Sequence, residues 1–219
     1  MNITHLTHGP SGGNIFTRIV DGLRRDGYIL LDEVFTLAQL QCLFIDIKKT
    51  DRSVFHAAGI GRQTVHQLNE FVRRDRICWL GDDNPEVRFY LAWMEQLRLC
   101  LNRELFLGLF DYECHYAHYP KGAFYKTHLD AFRGSSNRRL TTILYLNPSW
   151  QVHDGGELLL YAASGEQILE TVQPKFGNML IFLSEEFPHE VLPTNKSRYS
   201  LTGWFRINTN IGRGLDPPA

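Results

Sequence analysis

The sequence predicts a mainly β fold, a double-sheet jelly roll with supporting helices, and three observations lead there. From about residue 109 to 207, short runs rich in Tyr, Ile, Leu, Thr and Val alternate with Gly, Pro and Asn, giving eight candidate strands. Upstream, three stretches carry apolar residues at helical spacing. Neither an internal repeat nor a low-complexity linker divides the 219 residues. A single domain over 1–219 is therefore expected, with a helical part at 15–105 and a jelly-roll core at about 109–207.

Residues 1–14 are polar and Gly-rich, without periodicity, and do not read as a signal peptide. From 15 to 26, Ile15, Phe16, Ile19, Val20 and Leu23 share one helical face, and Gly27 can end the helix. Tyr28 to Leu31 reads as a short strand. Thr36 can cap a second helix whose apolar face is Leu37, Leu40, Leu43, Phe44 and Ile47. Residues 50–70 have scattered glycines and no sustained period, as expected of a loop with short extended pieces. Residues 76–80 look strand-like, and Asn84-Pro85 opens a third helix running to about 103. Val87, Tyr90, Leu91, Met94, Leu97, Leu101 and Leu105 lie on or near one face of it. The eight strands then fall at roughly 111–118, 124–130, 138–146, 157–161, 167–172, 178–183, 188–192 and 198–207, with the helices covering one sheet from outside.

Bulk properties remove several function classes. Hydrophobic content of 43%, charged content of 21% and a formal net charge of -1 describe an ordinary globular chain, with no overall basic field to argue for nucleic acid or an anionic membrane. No apolar run approaches the roughly 20 residues that span a bilayer. Cys42, Cys78, Cys100 and Cys114 occur singly and read as reduced, mostly buried thiols of a cytoplasmic chain. There is no GxGxxG or GK[ST] phosphate loop, and no convincing Ser/His/Asp hydrolytic arrangement.

One constellation carries chemistry. His128 and Asp130 are two apart, so on an extended strand both side chains would point the same way and Leu129 the other. His189 lies 59 residues further on, far enough to return on another strand. Two imidazoles and one carboxylate form the facial triad that holds Fe(II) and leaves coordination positions open. Such a pair alone is weak, and single histidines such as His5, His8 and His56 read as surface or satisfied core groups. The set is stronger because Arg198 follows His189 by nine residues. Its planar guanidinium can clamp the far carboxylate of a 2-oxo acid in bidentate fashion. Thr202 and Trp204 share the Arg198 face of the same strand. Tyr119, Tyr125, Tyr145 and Leu158 fall near the same pocket, with Tyr145 the best-placed hydroxyl for a carboxylate. Gly155-Gly156 would admit backbone close to the site.

These residues resemble the 2-oxoglutarate- and Fe(II)-dependent dioxygenases, and within them the prolyl 4-hydroxylases related to the animal hypoxia-inducible-factor oxygen sensors, in their compact bacterial form. The similarity covers about residues 52–206. It implies a double-stranded β-helix core, Fe(II) on His128, Asp130 and His189, and 2-oxoglutarate anchored by Arg198 and Tyr145, with Tyr119, Tyr125, Leu158, Thr202 and Trp204 lining the pocket. Ascorbate is implied as an accessory cofactor. Collagen-modifying relatives typically carry lysine where this sequence has Arg198, which points away from that branch. The run RRDRICWL at 73–80 resembles the segment that approaches the peptide, bringing in Arg73, Asp75 and Trp79, with Asp75 expected to pair with Arg138 at the mouth. Residues 52–70, including AGIGR at 58–62, would correspond to a loop folding over bound peptide. The implied reaction is hydroxylation of a proline in a protein substrate with O2, coupled to oxidative decarboxylation of 2-oxoglutarate. Translation elongation factor Tu is the implied bacterial target, with the enzyme a cytoplasmic monomer that binds neither membrane nor nucleic acid. Two alternatives stay open: a hydroxylase of free proline or another small amino acid, and a jelly-roll binding protein without catalysis.

Overall fold

The computed structural model describes residues 14–57, 71–81, 84–131 and 136–208. Three helices precede and back two antiparallel sheets. Helix α1 (Ile15–Asp26) is capped by the Asn14 side chain and ends on Gly27 at φ 76°, a left-handed backbone that glycine adopts without steric cost. Helix α2 (Leu37–Lys49) starts in a reciprocal capping box between Thr36 and Gln39. Helix α3 (Arg88–Leu105) begins later than the sequence predicts. Asn84 caps a 3-10 turn at Pro85–Val87, and α-helical geometry takes over only from Arg88. The expected faces pack on the core, Phe44, Leu91 and Leu105 only partly buried, with one correction: Leu37 is 63% exposed, because the first turn of α2 projects beyond the core that Leu40, Leu43 and Ile47 enter. Trp93 and Cys100 of α3 are buried in addition.

The strands are β1 (Tyr28–Leu31), β2 (His56–Ala57), β3 (Arg76–Leu80), β4 (Leu109–Tyr119), β5 (Tyr125–His128), β6 (Arg138–Tyr145), β7 (Leu158–Tyr161), β8 (Ile168–Val172), β9 (Met179–Leu183), β10 (His189–Val191) and β11 (Arg198–Ile207). The eight expected core strands are all present. The larger sheet has the order β1-β9-β6-β11-β4-β3-β2 and the smaller β5-β10-β7-β8. Three strands from the helical part thus extend the larger sheet at both edges, a pairing that local periodicity does not reveal. Of the loop expected at 50–70, residues 52–54 form a 3-10 turn and 56–57 form β2; residues 58–70, with the AGIGR run, lie outside the described residues.

Alternation along the strands divides the apolar residues between two cores. On the helix side, Tyr116 of β4, Leu140 and Leu144 of β6, and Tyr199, Leu201 and Phe205 of β11 pack with α1–α3. Between the sheets, Ile143, Tyr145, Leu158, Leu160, Leu180 and Phe182 form a second cluster. The functional residues belong to this inner side. Among the described residues, no helix is long and apolar enough to cross a membrane.

Candidate metal centre and its anion anchor

Strand register brings the distant histidines together. β10 pairs antiparallel with β5 so that His189 sits opposite His128, while β7 flanks β10 on its other side. His128 Nε2 lies 3.6 Å from Asp130 Oδ1, and His189 Nε2 lies 3.7 Å from Asp130 Oδ2. The three donor atoms lie within 4.8 Å of one another, an arrangement that can hold a metal ion. One part of the sequence argument is corrected. β5 stops at His128 and Asp130 occupies a bend, so its carboxylate arrives by a turn of the chain rather than by strand alternation.

Each potential ligand is oriented by a second partner. His128 Nδ1 is 2.8 Å from the Lys126 carbonyl, and His189 Nδ1 is 3.1 Å from the Phe187 carbonyl. Both carbonyls can accept the Nδ1 proton, which leaves each Nε2 available as a ligand atom in the space shared with Asp130. Thr141 donates its hydroxyl to Asp130 Oδ2 at 2.8 Å and is itself 2.8 Å from Ser184 Oγ. Burial alone would raise the Asp130 carboxyl, but the imidazoles of His189 and His128 overcome it and hold the group well below the usual carboxylate range. Burial, with His128 adding to it, pushes the His189 imidazole down to about 4, so it is neutral at neutral pH and free to ligate. Tyr125 stacks on His128 with ring centroids 3.5 Å apart.

The anchor lies on the same inner face. Arg198, Thr202 and Trp204 alternate along β11; Arg198 is opposite Tyr119 of β4, and Ser200 is opposite Tyr145 of β6. Arg198 is 1% exposed, and its guanidinium lies 4.8 Å from the Tyr119 ring centroid and 5.1 Å from that of Tyr145. Its Nε donates to the Gly156 carbonyl at 3.0 Å. Gly156 is required there, since at φ +68° an added Cβ would come within 3.1 Å of both Arg198 Cδ and Thr194 Cβ. Among the described residues no carboxylate pairs with Arg198. Among the described residues the fully buried Tyr145 hydroxyl likewise has no acidic or carbonyl partner, only the neighbouring Arg198 guanidinium. A buried guanidinium whose only hydrogen bond among the described residues is to a carbonyl, beside a buried phenol, is costly unless a carboxylate enters from outside. Burial pushes the Tyr145 phenol up to about 12 despite Arg198, so it remains a donor. Two imidazoles and a carboxylate beside a guanidinium and a phenol that can bind an oxyanion fit Fe(II) with a dicarboxylic 2-oxo acid.

At the mouth, the expected pairing is corrected. Asp75, 2% exposed, is held by Arg73 at 2.7 Å (Nε–Oδ1) and 2.6 Å (Nη2–Oδ2) rather than by Arg138. Arg138 instead donates to Glu113 at 2.8 Å and lies 3.5 Å from the Trp204 ring centroid. The bidentate fork of an arginine two residues from Asp75 saturates that carboxylate, while buried Glu113 offers Arg138 a partner from the adjacent face of β4. Trp79, 49% exposed, packs edge-on against His115, which in turn lies 5.4 Å from the Trp204 ring. Tyr119 and Leu158 are buried on the inner face. Sequence reasoning missed Glu113, His115 and Ser184. Glu113 and His115 share the parity of Tyr119 along β4, a signal present in DYECHYAHY.

Residues 114–206 match the family described as the 2OG-Fe(II) oxygenase superfamily. The chain is 39% identical to a Pseudomonas putida prolyl-4-hydroxylase of known structure, with 89% of this chain and 100% of that one covered at a TM-score of 0.81. This chain therefore belongs to the 2OG-Fe(II) oxygenase superfamily, enzymes that use Fe(II) and 2-oxoglutarate. Within it the similarity runs to prolyl hydroxylases. A Trichoplax adhaerens prolyl hydroxylase, solved with a fragment of the hypoxia-inducible-factor oxygen degradation domain, is 25% identical over 87% of this chain and 88% of that one, at a TM-score of 0.76. The human prolyl hydroxylase EGLN3 is 32% identical over 144 residues, 61% of this chain; the chain spans 59% of that protein's length.

Proposed function

We propose that the protein is a prolyl hydroxylase that oxidises a proline of a protein substrate at the metal centre, with elongation factor Tu as the first substrate to test and the cytoplasm as its compartment. The observation that carries this reading is the triad, with His189 buried and His128 and Asp130 half-buried, beside Arg198 and Tyr145, a guanidinium and a phenol each lacking an acidic partner among the described residues. His128, Asp130 and His189 would hold Fe(II), which with 2-oxoglutarate and O2 supplies oxidative chemistry that no protein side chain provides.

The chain's own residues do the rest. The Lys126 and Phe187 carbonyls fix both imidazoles in the tautomer whose Nε2 can ligate. Thr141 holds the Asp130 carboxylate in place. Arg198 clamps the distal carboxylate of 2-oxoglutarate and Tyr145 donates to it, while Tyr119, Leu158, Thr202 and Trp204 wall the pocket against water. Tyr125 braces His128 by stacking. The exposed Trp79, the Arg73–Asp75 pair and Arg138 would meet the peptide. The exposure of Trp79 beside His115 supports a macromolecular substrate over free proline.

The test incubates the protein with Fe(II), 2-oxoglutarate and either elongation factor Tu, its proline-containing peptides, or free proline, and follows the gain of one oxygen atom by mass spectrometry. Oxygen incorporation at a peptide proline, dependent on 2-oxoglutarate, supports the reading. Turnover of free proline alone would replace it with a small-molecule hydroxylase.

A further inference from the structure

Arg198 and Tyr119 point to the metal centre, so their chain neighbours Tyr199 and His118 point to the opposite face of the larger sheet, where they are partners in register. The two rings stack there at 4.7 Å and 9°. Over them lies a cavity of about 290 Å³ whose wall includes Lys48, Arg52, Arg76, His118, Ser197 and Tyr199. Lys48 comes from the last turn of α2, Arg52 from the adjoining 3-10 turn and Arg76 from β3, so three separate elements each direct a cation to one space.

That space is electrostatically one-sided. Among the described residues its wall holds no carboxylate. Among the described residues, the ion pairs of the molecule are made by other cations. Lys48 donates to the Tyr199 hydroxyl at 3.3 Å, a neutral partner. His118 senses the same field: burial pushes it down to about 4, and the next contributors are Arg52, Lys48 and Arg76. Any one of these cations has an ordinary account, Lys48 for instance as a basic residue at a helix C-terminus. Three converging on a concave site in a chain of net charge -1 repel one another, and among the described residues no carboxylate of the wall offsets them.

We propose that this cavity binds a small oxyanion carrying more than one negative charge, a phosphate or a polycarboxylate group, at a second site behind the sheet. The volume suits a small molecule at the lower end of ligand pockets. The mutual stacking of His118 and Tyr199 covers their facing ring surfaces, so recognition rests on the charged group, with the Ser197 hydroxyl, 3.2 Å from His118 Nε2, the neutral donor nearest to it. Arg52 and Arg76 supply the planar forks that match such oxygens. Because the site does not use the triad, it stands whether or not the protein hydroxylates proline.

The full chain is titrated calorimetrically with pyrophosphate and, separately, with citrate; the better of the two identifies the group. The expected result is saturable binding of at least one probe at one site, unchanged in Arg198→Ala and weakened about tenfold or more in Arg52→Gln/Arg76→Gln. Lys48→Gln provides a second reading should the double variant fold poorly. In parallel, an NMR pH titration should show the His118 pKa rising when the probe is bound. No saturable binding by either probe, undiminished affinity in both the double variant and Lys48→Gln, or loss of binding in Arg198→Ala would overturn the proposal. The last of these outcomes would place the anion at the metal centre.

Discussion

Arg198 and Tyr145 make the anchor a pair rather than a single charge. Removing the Tyr145 hydroxyl leaves the guanidinium in place and deletes one hydrogen bond to a charged acceptor, worth ~1.5 kcal/mol. Tyr145→Phe should therefore raise KM for 2-oxoglutarate about tenfold with kcat little changed, whereas Arg198→Ala should raise it roughly a hundredfold or more. Succinate release at varied 2-oxoglutarate measures both, and equal effects of the two changes would contradict the geometry. A second residue sets acid stability. His115 is 4% exposed and pushed down to about 4 by burial, with Arg73 adding to it. Unfolded, it takes a proton near the ordinary value of 6.5. Between those values the unfolded state binds the proton that the folded state refuses, so stability is full above about pH 6.5 and falls as pH drops towards 4, by on the order of 3 kcal/mol for this group. His115→Leu should remove about one proton from the pH slope of the urea-unfolding free energy in that window. An unchanged slope would show that His115 is not held neutral.

β11 is the element on which the two faces meet. Its even-numbered residues face the centre; its odd-numbered residues face the helices and include Gly203, which has no room for a side chain. An added Cβ would collide with the Tyr112 hydroxyl and come within 2.7 Å of the Glu113 carbonyl oxygen. That hydroxyl is fixed by Tyr90 at 2.9 Å and Thr142 at 2.7 Å, so it cannot retreat without breaking a buried chain of hydrogen bonds. Gly203→Ala should cost ~2–3 kcal/mol, read as a lowered denaturation midpoint. Tyr112→Phe/Gly203→Ala should recover little of it, because the ring carbon Cζ at 2.5 Å and the Glu113 carbonyl at 2.7 Å both remain. Most of β11 was legible beforehand, since its alternation placed Arg198, Thr202 and Trp204 on one face. Elements were legible where one periodicity and one end signal agreed, as with Asn14 and Gly27 around α1. Asp130 was assigned correctly to the triad's neighbourhood on an incorrect local argument, because a bend can deliver a side chain where a strand was expected. The choice of Glu113 over Asp75 by Arg138 was not legible, since partner selection among buried charges depends on distances that spacing does not encode.

At the scale of the molecule, the helices bury one face of the larger sheet so that its other face can be polar. A sheet surface carrying Arg198, Thr141, His115 and Glu113 between layers would be unfavourable without partners, and most of these groups have one: Thr141 with Asp130 and Ser184, Glu113 with Arg138 and Arg206. Among the described residues, buried polar atoms on this face without a partner include the Tyr145 hydroxyl, His115 Nδ1 and Trp204 Nε1. Of these the Tyr145 hydroxyl lies beside Arg198, whose guanidinium has a carbonyl but no carboxylate, which marks where a ligand is expected. The triad itself was readable from residue types and separation. The extension of the sheet by β1, β2 and β3 was not, because strand pairing across the chain leaves no local periodicity. Anaerobic equilibrium dialysis of Fe(II) against the wild-type chain and its His128→Ala and His189→Ala variants tests the central assignment most directly. The wild type should retain one iron per chain, with affinity increased by 2-oxoglutarate, and each variant should lose at least about tenfold in iron affinity while keeping its cooperative unfolding. One iron per chain at undiminished affinity in either folded variant would contradict the assignment.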